Sequence, residues 1–213
     1  MHKLKNVLKG IAKNIAVSFF FTSFLVFLFF LFVDRQVRPY FILISNLSYS
    51  EVKTENQSIS FDTVEKRLTD YPNYGTVWAT IKIPALNLEL PVYHGDTLDI
   101  LRYGVGHLAG SYFPGEGGGI VLDAHNNEAY FGTLPNLAFG DEIILDTIYG
   151  TYTYEMTEAK IIKNTEEEAL PVKTEEELLM LYTCYPPGYV GLTNERYVVY
   201  AKLKGADYNN ENN

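Results

Sequence analysis

Leu179-Met180-Leu181-Tyr182-Thr183-Cys184, the stiff turn Tyr185-Pro186-Pro187-Gly188, and then Arg196-Tyr197-Val198-Val199-Tyr200-Ala201-Lys202-Leu203 read as two β-strands joined through the loop 185–195. Paired antiparallel, they set Cys184 and Arg196 at the same edge of a sheet. Alternation places Tyr197, Val199, Ala201 and Leu203 on one apolar face. Arg196, Val198, Tyr200 and Lys202 fall on the other, so Arg196 faces water or a groove. Working outward, short β-branched and aromatic runs between Gly, Pro, Asn and Asp predict strands at Val77–Ile83, Leu88–Tyr93, Gly119–Asp123, Glu142–Asp146, Tyr152–Met156 and Ala159–Lys163. Eight strands at this spacing predict a mainly-β domain, a single barrel or sandwich with helices only in crossovers. Helical turns are expected at Asp96–Arg102, from Asp62 through Arg67, and at Thr174, where Thr174 and Glu177 match a capping box. Tyr71-Pro72-Asn73-Tyr74-Gly75 reads as a turn.

The 213 residues are 47% apolar and 20% charged, which excludes collagen-like, disordered and disulfide-scaffold classes. Charge is unevenly spread. Residues 1–33 carry Lys3, Lys5, Lys9 and Lys13 and no acid, which leaves 13 basic against 26 acidic residues in the remaining 180. A body at −13 repels phosphate, so nucleic acid is not an expected partner. Ile15–Val33 is free of charge and holds eight phenylalanines. As a helix it is roughly 29 Å long, close to the ~30 Å hydrocarbon core. A cleaved secretory signal has a shorter apolar core and a small-x-small site, and Phe32-Val33-Asp34-Arg35-Gln36 has none, so an uncleaved anchor is expected. The lysines before it predict a cytoplasmic N-terminus and an external body. The expected division is a basic N-terminus (1–14), an anchor (15–33), a stalk with a helical segment (34–75), the β-domain (76–205) and a polar tail without a second anchor (206–213).

Cys184 is the single cysteine, so no intramolecular disulfide is possible. A lone thiol is commonly a small buried hydrophobe. A strand end before a stiff turn, however, is where a nucleophile is both fixed and reachable. Four histidines compete as its base. His2 lies across the expected membrane, and His94 and His107 sit beside glycines as turn or capping residues. His125 follows the apolar strand Ile120-Val121-Leu122 and opens the loop Asn126-Asn127-Glu128, which makes it the first choice. An imidazole activates a thiol. The Arg196 guanidinium is either a solvated edge charge or a holder of a developing oxyanion. Together Cys184, His125 and Arg196 suffice for acyl transfer.

With these residues in place, the chain resembles the sortases, the membrane-anchored cysteine transpeptidases of Gram-positive bacteria. Leu181-Tyr182-Thr183-Cys184 resembles the Thr-Leu-x-Thr-Cys box, and Asn194-Glu195-Arg196-Tyr197-Val198-Val199 supplies the arginine at the usual separation. Ile83-Pro84-Ala85-Leu86-Asn87-Leu88-Glu89-Leu90-Pro91-Val92-Tyr93-His94-Gly95 is similar to the family's early strands. Gly104-Val105-Gly106-His107 is similar to its Gly-Val-Gly-His segment, and Leu122-Asp123-Ala124-His125-Asn126 to its catalytic-histidine strand. Met180 stands where the box usually has Thr, and Ala124 where many members have Gly. Thr183-Cys184-Tyr185-Pro186 and the ending from Arg196 to Lys202 resemble class D. Tyr93-His94-Gly95 and the Gly-Val-Gly-His element are also similar to the pilin-polymerising class C, but its Asp-Pro-aromatic lid and C-terminal membrane segment are not found in the sequence.

The resemblance implies an eight-stranded sortase-type β-barrel with short crossover helices that needs no cofactor or metal. It further implies recognition of a Leu-Pro-x-Thr-Gly-like signal on surface proteins or pilins. Cys184 would attack between Thr and Gly, His125 would serve as acid and base, and Arg196 would steady the oxyanion. Thr183, Ala124 and Tyr185 would contact substrate, and an amine of a peptidoglycan precursor would resolve the thioester. A membrane-tethered cysteine protease and a silent binding barrel are the competing readings.

Other signals are set aside on physical grounds. Gly104-Val105-Gly106-His107-Leu108-Ala109 lacks the flanking strand and helix of a dinucleotide fingerprint and is expected to be a turn. Gly115-Glu116-Gly117-Gly118-Gly119 has no Lys-Ser/Thr and is expected to be a mobile surface loop. One cysteine and no His-Glu-x-x-His exclude zinc spacing. Glu166–Glu168 and Glu175–Glu177 are read as solvated helix starts rather than a calcium site.

Overall fold

The computed structural model describes residues 2–32, 59–189, 191 and 193–208, in two units that divide between Tyr49 and Ser50. The first holds helix α1 (His2–Phe32), 31 residues long. Its segment Lys13–Phe32 is long and apolar enough to cross a membrane, with none of it buried. Phe19 and Phe20 are each 74% exposed. A helix apolar on every side is what a hydrocarbon solvent favours, because its backbone bonds close internally. Of the expected stalk and helical segment (34–75), residues 34–58 lie outside the described residues.

Among the described residues the second unit begins with a hairpin, β1 (Ser60–Asp62) and β2 (Arg67–Asp70). Eight further strands follow: β3 (Val77–Ile83), β4 (Leu88–His94), β5 (Val105–His107), β6 (Gly119–Asp123), β7 (Glu142–Thr147), β8 (Gly150–Lys163), β9 (Leu178–Tyr185) and β10 (Glu195–Tyr208). They close a barrel in the order β10-β8-β7-β3-β4-β5-β6-β9. The β4–β5 and β6–β9 ladders are parallel and the others antiparallel. Each parallel pair needs a crossover. Helix α2 (Leu98–Leu101) lies in the first, and the β7–β8 hairpin forms most of the second.

The expected mainly-β barrel is present, with its strands drawn differently. Tyr152–Met156 and Ala159–Lys163 are one strand, β8. Opposite it the register slips between Tyr200↔Glu158 and Ala201↔Met156, so Thr157 is an extra residue. This bulge breaks the alternation that a continuous strand shows. The expected turn at Gly104–Ala109 is β5, pressed between β4 and β6 with Val105 and His107 fully buried. Its glycines serve close approach. A Cβ on Gly104 would stand 2.4 Å from the Pro91 carbonyl oxygen, and one on Gly106 2.8 Å from Asp123 Oδ1.

Both capping signals bind without starting a helix. Asp62 Oδ1 accepts from the N–H groups of Val64 and Glu65 at 2.8 and 3.0 Å. Lys66 then takes φ 49°, and the chain turns back into β2. Thr174 donates to the Glu176 carbonyl at 2.7 Å, while Glu177 is drawn inward. Its Oε2 accepts from Gly115 and Gly117 N–H at 2.9 and 3.1 Å, and its Oε1 from the Tyr154 hydroxyl at 2.6 Å. Glu177 is therefore no solvated helix start. It fastens the glycine-rich loop to the barrel interior, so that loop is an anchored element rather than a free surface loop. Glu116 completes the fastening by accepting from Leu68 N–H, the Tyr71 hydroxyl and Phe113 N–H. These bonds hold the β1–β2 hairpin, whose Phe61 stacks on Tyr149 at 5.2 Å.

Two apolar layers account for the continuous run that opens β9. Leu179 and Leu181 face the barrel interior with Val199 and Ala201. Met180 packs outward with Val121, Ile162, Val198 and Tyr200 beneath the covering segment at Ala169 and Leu170. A strand buried on both faces reads as unbroken hydrophobicity.

His94 and His107, expected as turn or capping residues, form a couple on adjacent strands with their Nδ1 atoms 3.2 Å apart. His107 Nε2 lies 3.0 Å from the Tyr112 carbonyl, which can only accept, so Nε2 carries the proton and Nδ1 accepts from His94. Burial lowers the His107 pKa to about 4. The unfolded chain takes up this proton as pH falls below 6.5 and the folded chain does not. The stabilisation from neutral His107 is thus complete above pH 6.5 and lost between there and about 4. The expected loss is about 3 kcal/mol at most, read as a fall in urea midpoint across that window and weakened in His107→Gln.

Candidate active site

Cys184 and Arg196 are cross-strand partners in the β9–β10 ladder. Directly opposed residues share a face, with Cβ atoms about 5 Å apart. That face is the outer one, continuous with Tyr182 and Val198. The expected antiparallel pairing is thus present, and both side chains are only partly exposed.

The β6–β9 ladder brings in the histidine. Its parallel register pairs Gly119↔Leu178 through Asp123↔Tyr182, every pair 59 positions apart. Carried two residues further, this offset sets His125 level with Cys184. Two bonds extend the register past the ladder. Ala124 N–H donates to the Tyr182 carbonyl at 3.4 Å, and the Thr183 hydroxyl donates to the Ala124 carbonyl at 2.7 Å. The His125 carbonyl then accepts from Phe131 N–H at 2.9 Å, and its ring meets Tyr130 edge-on at 5.9 Å. Burial, and next the Arg102 charge, lower the His125 pKa below the usual imidazole value. The resting ring is therefore neutral near pH 7.

Arg196 Nη1 donates to the carbonyls of Thr193 and Glu195 at 2.8 and 2.9 Å. Those bonds hold one nitrogen, and a guanidinium has five N–H donors. Tyr185, at the end of β9, is partly exposed and stacks on Tyr197 at 6.2 Å. Thr183 and Ala124 are buried and bonded to one another, so what they offer to the site is shape and register.

Asp123 belongs to the same outer face, and its type alone did not mark it. It is 8% exposed, and its Oδ1 has no hydrogen-bond partner. Burial first, then the Asp96 charge, raise its pKa to about 8, against smaller opposing pulls from its own backbone N–H, then Tyr182 and Arg196. Sequence reasoning did not single it out, and alternation back from His125 is the signal that could have found it. Residues 121, 123 and 125 share a face, and Asp is the uncommon choice beside Val121. Among the described residues no three His, Cys, Asp or Glu side chains are grouped to hold a metal ion.

Comparison with known proteins bears on the family and the fold. A family model described as the Sortase domain matches residues 81–204. Sortase D of Bacillus subtilis (strain 168) is 37% identical over 143 residues, covering 67% of this chain and 72% of that protein. Among solved structures, a Clostridium perfringens Sortase D5 transpeptidase superposes with TM-score 0.57 at 28% identity, covering 63% of this chain and 83% of that one. Listeria monocytogenes sortase A gives TM-score 0.57 at 25% identity, covering 63% and 92%.

Proposed function

The chain belongs to the sortase family of transpeptidases, with class D relatives, and from that premise we propose a membrane-anchored cysteine transpeptidase acting on a Leu-Pro-x-Thr-Gly-like sorting signal. One observation carries the reading: the two ladders of β9 set Cys184 opposite Arg196 on one side and, with the β6 offset continued two residues, level with His125 on the other. The Cys184 thiol passes its proton to His125, and the sulfur attacks the Thr carbonyl carbon. The oxyanion so formed meets N–H donors of Arg196. Collapse breaks the Thr–Gly C–N bond, His125 returns the proton to the departing amine, and a thioester remains on Cys184. An amine of a cell-wall precursor then attacks the thioester carbon and loses its proton to His125, and the sulfur leaves.

Tyr185, at the open end of β9, is a candidate substrate contact, with Thr183 and Ala124 forming the floor behind it. Surface proteins or pilins bearing the signal are the acyl donors in this reading. The four lysines before the apolar run of α1 support a cytoplasmic N-terminus and an external barrel.

Incubating the protein with Leu-Pro-x-Thr-Gly peptides and diaminopimelate, read by intact mass, tests the proposal. The expected result is an acyl adduct on Cys184 and an amine-capped product, both absent from Cys184→Ala. Cleavage without amine capture would support the protease reading instead. An inert thiol with every peptide would support the binding barrel.

A further inference from the structure

We propose that Asn126 is a positioning residue that straps the loop after His125 to the loop after Cys184 and so sets the spacing of imidazole and thiol; the inference rests on the transpeptidase reading above. The β6 ladder ends at Asp123, two residues short of His125. Beyond it, residues 125–132 form a body bonded to itself. Phe131 N–H donates to the His125 carbonyl, Tyr130 and Gly132 N–H to the Asn127 carbonyl, and Ala129 N–H to Asn127 Oδ1. Such a body can swing as a unit unless it is fastened across the site.

Asn126 supplies that fastening. Its Nδ2 donates to the carbonyls of Pro186 and Tyr189 at 3.1 and 3.3 Å, and its own carbonyl accepts from Gly188 N–H at 2.7 Å. The two acceptors fix which end of the amide is nitrogen, since only NH2 has two donors for two carbonyls. Thr183 makes the matching bond on the other flank, to the Ala124 carbonyl. The residues just before and just after His125 are thus each tied to the segment flanking Cys184. Misplacing a reacting pair by about 1 Å costs on the order of a hundredfold in rate, so a strap of this kind acts on kcat.

The test uses Asn126→Ala and Asn126→Asp, with Asn127→Ala as a control whose side-chain bond stays within the loop. Each is made in the wild-type chain and in His125→Ala. The first measurement is the pH dependence of Cys184 alkylation by iodoacetamide, which needs no peptide. Asn126→Ala is expected to move its midpoint by about half a pH unit or more. It should change nothing when His125 is absent, because the strap acts through the imidazole. Asn127→Ala is expected to stay within about twofold of wild type.

With peptide and amine, kcat is expected to fall about tenfold or more while KM holds within about threefold. Loss of stability alone would lower the unfolding midpoint without moving the alkylation profile. Asn126→Asp retains the size and sets a carboxylate against two carbonyls, so it carries the test if the alanine variant does not fold. A wild-type alkylation profile in both variants overturns the proposal, as does a change of equal size in the His125→Ala background. Failure of the wild-type chain to turn over any peptide would count against the transpeptidase reading, while the alkylation measurement still decides the role of Asn126.

Discussion

Replacing His125 by alanine is expected to lower the rate of peptide-to-amine transfer about a thousandfold, roughly 4 kcal/mol of barrier. His125 sits level with Cys184, and in the proposed reaction it handles a proton in both halves. The ring is only half-buried, and the bonds that hold Ala124 and Asn126 do not pass through it, so the fold should survive its removal. The check is kcat/KM with peptide and amine, beside an unfolding midpoint close to wild type. Activity retained within about tenfold would place the proton-transfer role on another group. Arg102 offers a graded companion. Its charge helps lower the His125 pKa, so Arg102→Ala should raise it towards the ordinary value and shift the acid limb of the rate profile upward.

Glu177→Ala is expected to cost about 3–5 kcal/mol of stability, enough to leave a marginal domain largely unfolded. The substitution removes the acceptor for the fully buried Tyr154 hydroxyl and for two loop N–H groups, and it opens a void beside Tyr154. Glu177→Gln keeps the volume and an acceptor for the tyrosine, and is expected to cost about 1–2 kcal/mol. Burial raises the Glu177 pKa despite its three donors, so a neutral side chain is tolerated there better than a missing one. Urea unfolding of the two variants measures both effects. Equal loss in both would mean that the charge, rather than the hydrogen bonds, holds the loop.

How much of this was legible beforehand depends on the range of the interaction. The strand alternation in Arg196–Leu203 and the apolar run Leu179–Leu181 are local signals, and both strands lie where they were expected, as do β3 and β6. β5 carries no such local signal, because three residues with a glycine at the centre show no periodicity. Its strand character comes from β4 and β6 pressing on either side. Thr174 and Glu177 satisfied a local capping rule, yet Glu177 found stronger partners 62 and 60 positions away at Gly115 and Gly117. Tertiary hydrogen bonds to buried donors override a cap whose helix has no face to bury.

The candidate site divides along the same line. Cys184, His125 and Arg196 were marked by chemistry and by strand ends, which composition and pattern reveal. Asp123 and Asn126 are side-chain types whose chemistry alone does not mark a site. What distinguishes them is an orphaned buried oxygen in one case and three bonds spanning the loops after His125 and Cys184 in the other. The sequence by itself determined the apolar helix, the mainly-β body and the reactive residue types, because each follows from hydrophobic periodicity or from side-chain chemistry. The tertiary structure alone decided the parallel β6–β9 register that brings His125 level with Cys184. Such a register is selected by which faces are buried and by long-range backbone bonds, and neither is encoded in any short stretch of the chain.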